Sequence, residues 1–559
     1  MSSTPLAGSR RRPHPLGAAS AAAFLSILAT PAFAGCVLVS GPGTATAPGA
    51  GALVRCDSSA PNPFTQQIRA VPGTSNVTVD VLSGAILLST PSRNIEIPGS
   101  SLVTNAGSLT LAGNGSTAEA AVTAFGSNNT VINSGSISTS ERFTYGIAHG
   151  ANSTHDTFVN TGSITTSGDI SPGMVLFGTQ DSATNSNGGI ITTSGFSSAG
   201  LFASGSSNSL TNAAGGTITT SNTNADGMYF LGGGNRALNS GTIELSGDNS
   251  SGLRGADGGN TITNEGAIRV RTVGATGTFG ILSLGGTSTV TNTGTITNTS
   301  FAGLGMDVGG DTNVVSNSGS ISTAGSLAPG IRVGNGTGNR IANSGTVTTS
   351  GAASPGVSLT TSGGQTSSFI NSAGGTVTSQ QSEAVLGGFG NERVENDGVL
   401  RTIVAGGNAV DLAAGDDTFI IGPTSSITGI VTGSTGTNTF SLGGSGTGTF
   451  DLGQFGPTGQ FRDFQALTKE DASTWTLTGA TAFNGPTTVN AGTLLVNGSL
   501  AGSVVTVRSG ATLGGNGTIG GLVATSNSIV SPGNSIGQLN VSGNVFFTAG
   551  SIFAVEVNV

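Results

Sequence analysis

The chain contains 559 residues, of which 95 are glycine, only 8% are charged and 5% are aromatic. So little charge with a positive mean hydropathy excludes a solvated disordered chain, and abundant glycine without a strict three-residue period excludes collagen. The net charge is −9. It would be −12 if the three arginines at positions 10–12 were removed together with an N-terminal targeting segment. An acidic chain without a basic stripe is a poor nucleic-acid binder, so no nucleic-acid partner is expected.

The N-terminus has the parts of a secretory signal peptide, which we predict to occupy residues 1–34. The arginines at positions 10–12 form its basic part, an apolar stretch follows, and the segment ends in Ala-Phe-Ala. This arrangement predicts cleavage between Ala34 and Gly35.

Two cysteines, Cys36 and Cys56, follow the predicted cleavage site. An even pair in an exported chain predicts one disulfide bond, in an N-terminal cap region of residues 35–98. Two alternatives stay open: a pair of free thiols, or a lipoprotein signal that ends at Cys36, although the residues before that cysteine fit the lipoprotein pattern imperfectly. No later segment of the sequence reaches the roughly 18 consecutive apolar residues of a membrane helix.

One short phrase, Asn-x-Gly-x-Ile or a close variant, recurs at intervals of 25 to 28 residues. An apolar residue follows the asparagine by four positions in most copies, and each repeat has two further apolar spots. Apolar and polar residues alternate within each spot, which is typical of a strand with one buried face. Three strands and three turns in about 26 residues predict one coil of a parallel β-solenoid. The anchors are Asn105, Asn133, Asn160, Asn187, Asn212, Asn239, Asn264, Asn292, Asn317, Asn343, Asn371 and Asn396.

The repeat therefore predicts an all-β fold, a single elongated solenoid of three-strand coils over residues 99–410. Stacking in register would place each anchoring asparagine above the previous one, so that their side chains form a hydrogen-bonded ladder. Asparagine also tolerates left-handed turn conformations. We interpret the anchors as inward structural residues rather than as ligand-binding amides. Residues 411–559 continue the apolar alternation with shorter and less regular spacing.

This second part contains the sequence WTLTG from Trp475 and, after Gly485, the sequence VNAGTL from Val489. It resembles the passenger-associated transport repeat of autotransporters, the type V secretion proteins of Gram-negative bacteria. The sequences SPGNSIG and LNVSGN near the end resemble the stretch shortly before the translocator barrel of that family. The resemblance implies a transport-repeat core of Trp475, Leu477, Gly485, Val489, Gly492 and Leu494.

The family implies a right-handed parallel β-helix that is exported and displayed at the cell surface or outside the outer membrane, with C-terminal coils that act as a folding seed. We expect a structural or adhesin-like protein without a cofactor. Its partners would be surface glycans or proteins of a host or neighbouring cell, or copies of itself. A family member should continue into an outer-membrane β-barrel, and none is recognisable before Val559. A truncated product confined to the periplasm, a separately encoded barrel and a gene remnant remain as alternatives.

Several motifs that carry chemistry elsewhere are interpreted here as turns. The G-x-S-x-G motif around Ser535 and the G-x-G-x-x-G motif from Gly515 both lack a following helix. The segment from Gly415 resembles one calcium-binding nonapeptide, whereas such sites need tandem copies. His149 and His155 are interpreted as exposed loop residues rather than as metal ligands.

A polysaccharide-cleaving enzyme is the main alternative function, because many such enzymes are β-helices. They act through carboxylates that converge on one face. Glu395 and Asp397, in the most densely charged stretch, are predicted to face outward together on one strand. No second acidic cluster is visible about one coil away in the sequence. We therefore expect no catalytic residue and no enzyme.

Overall fold

The computed structural model describes residues 35–90, 93–271 and 276–557, so the predicted signal peptide and Ala34 lie outside the described residues. Within these ranges the chain winds into about 20 turns of a right-handed parallel β-solenoid, which confirms the predicted fold class. In the same ranges the one helical element is a 3-10 turn at Leu452–Gln454. No helix of the described part is long and apolar enough to cross a membrane.

Four sheets run along the solenoid axis in the described residues, because each strand pairs with its counterpart in the next coil. Sheet 1 extends along the whole described length and holds 23 strands. Its strands are Cys36–Ser40, Leu53–Cys56, Thr78–Val81, Leu102–Asn105, Thr130–Asn133, Thr157–Asn160, Ser182–Asn185, Ser209–Asn212, Arg236–Asn239, Thr261–Asn264, Thr289–Asn292, Val314–Asn317, Asn339–Asn343, Thr366–Asn371, Asn391–Asn396, Thr418–Ile421, Thr439–Leu442, Ala466–Lys469, Thr487–Val489, Ser499–Val507, Thr518–Ala524, Asn540–Val541 and Val545–Phe547.

In each three-strand coil, the strand of sheet 2 follows the strand of sheet 1 after one backbone turn. Its strands are Ile86–Ser89, Ser108–Ala112, Ser136–Ser140, Ser163–Thr166, Ile190–Thr193, Thr217–Thr220, Thr242–Leu245, Ala267–Val270, Thr295–Asn298, Ser320–Thr323, Thr346–Thr349, Thr376–Ser379, Val399–Thr402 and Ser426–Thr428.

Sheet 3 completes each three-strand coil. Its strands are Ile68–Arg69, Ile95–Ile97, Glu119–Ala124, Thr144–His149, Met174–Leu176, Leu201–Ser204, Met228–Leu231, Ser251–Gly255, Phe279–Ser283, Leu304–Gly309, Ile331–Gly334, Val357–Thr360, Val385–Leu386, Asn408–Asp411, Ile430–Thr432 and Phe461–Arg462.

Sheet 4 belongs to the C-terminal coils, which have two strands each once sheet 3 has ended at Phe461–Arg462. Its strands are Thr447–Asp451, Thr474–Thr478, Thr493–Val496, Thr512–Gly515, Ile529–Pro532 and Ile552–Phe553.

The core is one continuous apolar column inside the coils. In sheet 1, for example, Val131, Phe158 and Ala183 occupy the same register position in successive coils, and all three are buried. Each fully buried aliphatic or aromatic side chain contributes about 1.5–3 kcal/mol relative to exposure. A coil obtains this free energy only when a neighbouring coil covers it.

Beside this column the anchoring asparagines form a second, polar column. Each Nδ2 donates to the Oδ1 of the next asparagine along the axis, through eleven consecutive hydrogen bonds of 2.6–2.9 Å from Asn105 to Asn396. The remaining Nδ2 hydrogen donates to backbone carbonyls of the following turn, as from Asn343 to Gly345. These amides are satisfied without water.

The prediction was wrong at one of its twelve anchors, because Asn185 occupies the ladder position that we assigned to Asn187. Asn187 lies exposed in the turn. In this coil the turn after the ladder residue is two residues longer, and it is closed by Gly188 in the left-handed region (φ 81°). Counting back four residues from Ile191 therefore selects the wrong asparagine.

A further polar ladder, not predicted from the sequence, runs four residues before the first. We call it the second ladder. In each link a side-chain oxygen accepts the backbone N–H of the equivalent residue in the preceding coil, at 2.6–3.3 Å. Most members are asparagine, but three are aspartate. The accepting residues are Asn129, Asp156, Asp181, Asn208, Asn235, Asn260, Ser288, Asn313, Asn339, Asp417, Asn438 and Gln465.

At the N-terminal end, Cys36 and Cys56 form a disulfide bond. They are directly paired residues of two antiparallel strands, Cys36–Ser40 and Leu53–Cys56. The second of these strands pairs in parallel with Thr78–Val81, which begins the stack. The disulfide thus ties the first strand of the described residues to the coil that follows it.

The C-terminal coils contain the residues of the predicted transport-repeat core. The Trp475 indole is buried, and its Nε1 donates to the Gly443 carbonyl at 3.0 Å. Gly492 adopts φ 65°, and a Cβ on Gly485 would lie 2.1 Å from the Gln465 carbonyl oxygen, so both positions require glycine. The apolar members Leu477, Val489 and Leu494 are fully buried.

The inward column of sheet 1 that asparagine occupies up to Asn396 continues through Ile421 and Leu442 to Lys469. Its side chain is fully buried, and its Nζ donates to the carbonyls of Glu470, Asp471 and Ala491. Burial lowers the pKa of the ammonium group to about 8. A single lysine therefore ties together backbone groups of two adjacent coils.

We predict that Asn185→Ala destabilises the chain by about 2–4 kcal/mol, since it removes three donated bonds and leaves the Asn160 amide without its acceptor. Asn187→Ala is the matched control, and its effect should stay within about 0.5 kcal/mol because that side chain is exposed. Urea unfolding followed by circular dichroism measures both. Equal losses of stability in the two variants would contradict the ladder assignment.

Candidate functional site

An aromatic row lies on the outer face of sheet 3. In the strand Leu201–Ser204, Leu201 and Ala203 point into the core, so alternation turns Phe202 outward. Phe202 pairs in register with Tyr229, and Tyr229 with Arg254, so these three side chains stack along the axis. The row thus follows from one outward position repeated over three coils.

Phe177 and Tyr145 extend this row toward the N-terminus. Ring centroids are 6.0 Å apart between Tyr145 and Phe177, 6.4 Å between Phe177 and Phe202, and 5.4 Å between Phe202 and Tyr229. The rings are tilted or edge-on to one another, as aromatic pairs prefer. Phe177 and Phe202 pack on a small apolar cluster that is separate from the main core and includes Val175. That cluster holds the rings while part of each stays exposed.

A groove of about 480 Å³ lies along this row. Turn residues rim it on both sides and supply amide and hydroxyl groups. Its lining is Tyr145, Ile170, Pro172, Val175, Phe177, Ser197, Ala199, Phe202, Asn224, Asp226, Tyr229, Leu231, Asn249 and Arg254.

Arg254 and Asp226 close the C-terminal end of the groove. The Arg254 guanidinium lies 4.8 Å from the Tyr229 ring centroid, and its Nη1 is 3.5 Å from Asp226 Oδ2. Asp226 is buried, and its Oδ1 accepts the Ser251 N–H at 2.6 Å. Burial raises the pKa of this carboxyl to about 6, although Arg254 opposes the shift. Among the described residues that line the groove, Asp226 is the one carboxylate, and it is already committed to two partners.

The interpretation of His149 as an exposed loop residue was wrong. His149 ends the strand Thr144–His149 and is 2% exposed, whereas His155 is exposed in the following turn. The imidazole lies behind the aromatic row, with its ring centroid 6.4 Å from that of Phe177. It faces the buried carboxylates of Asp156 and Asp181.

The sequence indicated no second acidic cluster about one coil from Glu395 and Asp397, and the structure brings Glu470 close from three coils further along sheet 1. Arg393 Nη2 lies 3.7 Å from Glu395 and 3.3 Å from Glu470, which is 77 residues later in the chain. Burial and the nearby Asp471 raise the pKa of Asp397. Stacking of sheet 1 strands brings these groups together, and sequence distance conceals it.

The motif around Ser535 and the segment from Gly415 lie in turns as predicted, whereas the motif from Gly515 spans the end of the strand Thr512–Gly515, a short turn and the start of Thr518–Ala524. Ser535 is exposed with φ 112°, and Gly515 forms an antiparallel bridge with Gly533. In the segment from Gly415, Asp416 is exposed and Asp417 is a buried member of the second ladder.

Asp417 forms a buried carboxyl pair with Glu392. Asp417 Oδ1 accepts the Glu392 N–H at 2.7 Å, and both residues are 1% exposed. Thr361 Oγ1 donates to Glu392. Burial and the neighbouring Asp417 raise the pKa of Glu392 to about 8, and burial raises that of Asp417 to about 6. One of the two carboxyls is therefore protonated at neutral pH.

We expect the natural chain to lose stability as the pH rises, and we predict that the Glu392→Gln variant does not show this loss. A carboxyl whose folded pKa lies above its unfolded value stabilises the fold at low pH, and this contribution disappears as the pH passes through about 8. The variant should therefore be more stable than the natural chain at about pH 9, by an amount on the order of a few kcal/mol, and similar to it at about pH 4. Thermal unfolding across this range is the measurement. Glu265→Gln, at an exposed position, should leave the pH dependence unchanged; a Glu392→Gln profile that parallels the natural one would contradict the pair.

Comparison with known families gives two matches. The passenger-associated transport repeat matches residues 467–496. The third pectate lyase-like domain of BigA matches residues 157–254, the segment that carries most of the aromatic groove. No curated protein and no solved structure matches the chain. Both matches, together with the long parallel β-solenoid, fit an exported autotransporter passenger.

Proposed function

We propose that this passenger is a surface-displayed, adhesin-like protein that binds carbohydrate in the aromatic groove of sheet 3 and has no catalytic role. The observation that carries the proposal is the row of four rings from Tyr145 to Tyr229, of which Phe177, Phe202 and Tyr229 are partly exposed. Pyranose rings present apolar C–H faces and polar hydroxyl edges. A groove with aromatic walls and a few polar groups at its rim complements both features.

The outer surface away from the groove supports the same reading. Its turns are dense in serine, threonine, asparagine and glycine, which can form many weak hydrogen bonds but no concentrated hot spot. In the groove, four rings in line favour an extended chain of sugars over a single small molecule. The ligands that we propose are glycans of a host or neighbouring cell.

A polysaccharide-active enzyme is the second candidate, because the pectate lyase-like match covers four coils at this groove. General acid–base cleavage needs a carboxyl group that is free to exchange a proton with the substrate. Asp226 is instead held by Arg254 and by the Ser251 N–H. The acidic group around Arg393 lies on sheet 1, away from the aromatic rings. Binding is therefore the better account of the groove.

We predict that the purified chain binds oligosaccharides on a glycan array that includes pectic fragments. Phe202→Ala and Tyr229→Ala should each weaken binding about 3- to 10-fold, because each removes one aromatic contact. Isothermal titration calorimetry with the best array ligand measures the change. Phe301→Ala is the matched control, because Phe301 is exposed outside the groove.

Unchanged binding in a Phe202→Ala, Tyr229→Ala double variant would remove the groove from the proposal. Shortened or unsaturated products after incubation with the array ligand would instead establish the enzyme.

A further inference from the structure

Behind the aromatic row, His149, Asp156 and Asp181 converge in the interior. Each can present one ligand atom such that all three atoms lie within 4.8 Å of one another. All three residues are at most 2% exposed. The two aspartates occupy consecutive positions of the second ladder, directly before the strands Thr157–Asn160 and Ser182–Asn185.

The hydrogen bonds of His149 fix its tautomer. Nδ1 lies 2.8 Å from the Gly150 carbonyl oxygen, which can only accept, so Nδ1 carries a proton. The Phe177 N–H donates to Nε2, which places the lone pair on Nε2. Nε2 is 3.2 Å from Asp181 Oδ2. Two acceptors therefore face each other, with the Phe177 N–H 3.0 Å from Nε2 as its donor. Metal-ligating histidines are commonly oriented in this way, by a backbone carbonyl that holds the opposite ring nitrogen.

The two carboxylates have oxygen atoms to spare. Asp156 Oδ1 accepts the Asn129 N–H, and Asp181 Oδ1 accepts the Asp156 N–H. The Oδ2 atoms of both residues are buried without a hydrogen-bond partner. At most asparagine positions of the ladder this second atom is an Nδ2 that donates to a carbonyl, as from Asn129 to Phe125. Two aspartates in succession instead place two carboxylates side by side in the interior, and buried charge of this kind is costly unless a cation is present.

We propose that His149, Asp156 and Asp181 form a binding site for one divalent transition-metal ion, with Zn²⁺ as the test ion. One imidazole nitrogen and two carboxylate oxygens are ligands of borderline hardness, which suit Zn²⁺ better than Ca²⁺ or Mg²⁺. The ion would compensate the negative charge on both Oδ2 atoms. It would also bind the Nε2 lone pair, which in the metal-free chain accepts the Phe177 N–H. His149 and Phe177 both line a surface cavity of about 300 Å³, which supplies water to that N–H and a route for the ion.

The test uses the purified chain after removal of metal with a chelator, and titrates it with ZnCl₂ by calorimetry and with Co²⁺ by visible absorption. Asp156→Asn and Asp181→Asn are the informative variants, because asparagine fills the same ladder position in neighbouring coils and the fold should be preserved. Asp417→Asn is the matched control, since Asp417 belongs to the same ladder and lies next to Glu392 instead of a histidine. Circular dichroism checks that every variant is folded.

We expect one Zn²⁺ per chain in the natural protein and in Asp417→Asn, with affinity at least about tenfold lower in Asp156→Asn and Asp181→Asn. The Co²⁺ complex should show the absorption bands of a low-coordinate site only in the natural protein and in Asp417→Asn. Absence of Zn²⁺ binding by the natural chain, or binding that both ladder variants retain, overturns the proposal. If NMR shows that the imidazole of the metal-free chain is protonated at neutral pH and the titration shows no bound Zn²⁺, a proton compensates the two carboxylates. That result also overturns the proposal.

Discussion

Every part of this molecule depends on the stacking of like on like at the spacing of one strand. A residue in a parallel solenoid contacts the equivalent residues of the coils before and after it, so any side chain that is placed inward must be compatible with copies of itself. Apolar residues satisfy this requirement by packing. Asparagine satisfies it by donating with Nδ2 and accepting with Oδ1, which is why one residue type can repeat from Asn105 to Asn396 with every amide paired.

The same constraint makes departures from the repeat informative. An aspartate can accept the backbone N–H that the second ladder supplies, but it cannot return a hydrogen bond, so its second oxygen needs a proton or a cation. Asp417 has Glu392 beside it, and burial raises the pKa of that carboxyl to about 8, so a proton can compensate the pair. Asp156 and Asp181 are consecutive members of the ladder with His149 beside both, and here we propose a metal ion. Equivalent positions in one ladder thus place a buried aspartate beside two different partners.

The sequence was sufficient for the coil, because a 26-residue period and alternation within each apolar spot reflect local geometry. Asn187 was chosen over Asn185 because the turn after Asn185 is longer in this coil. The longer turn increases the distance in sequence from the ladder residue to the next apolar residue, while the repeat length stays within its usual range. The second ladder was visible in principle, since a small polar residue stands four positions before nearly every anchor. It was missed because only the anchors were aligned. The contacts of His149 with Asp181 and of Arg393 with Glu470 join different coils, and their lateral positions cannot be obtained from spacing alone.

The division between inward and outward positions also locates function. Inward residues are bound by the stacking requirement, whereas outward residues are limited only by solubility and by their neighbours along the axis. A row of large rings at outward positions gains little stability from partial burial, and exposed aromatic surface favours association. The Phe202 ring is nonetheless held by an apolar cluster outside the main core, and the Tyr229 ring by Phe202 and Arg254. Side chains that are both exposed and fixed in position are suited to recognising a rigid ligand, because little conformational entropy is lost on binding. That combination, rather than the match to a pectate lyase-like domain, is the physical reason for our proposal that this groove recognises a ligand.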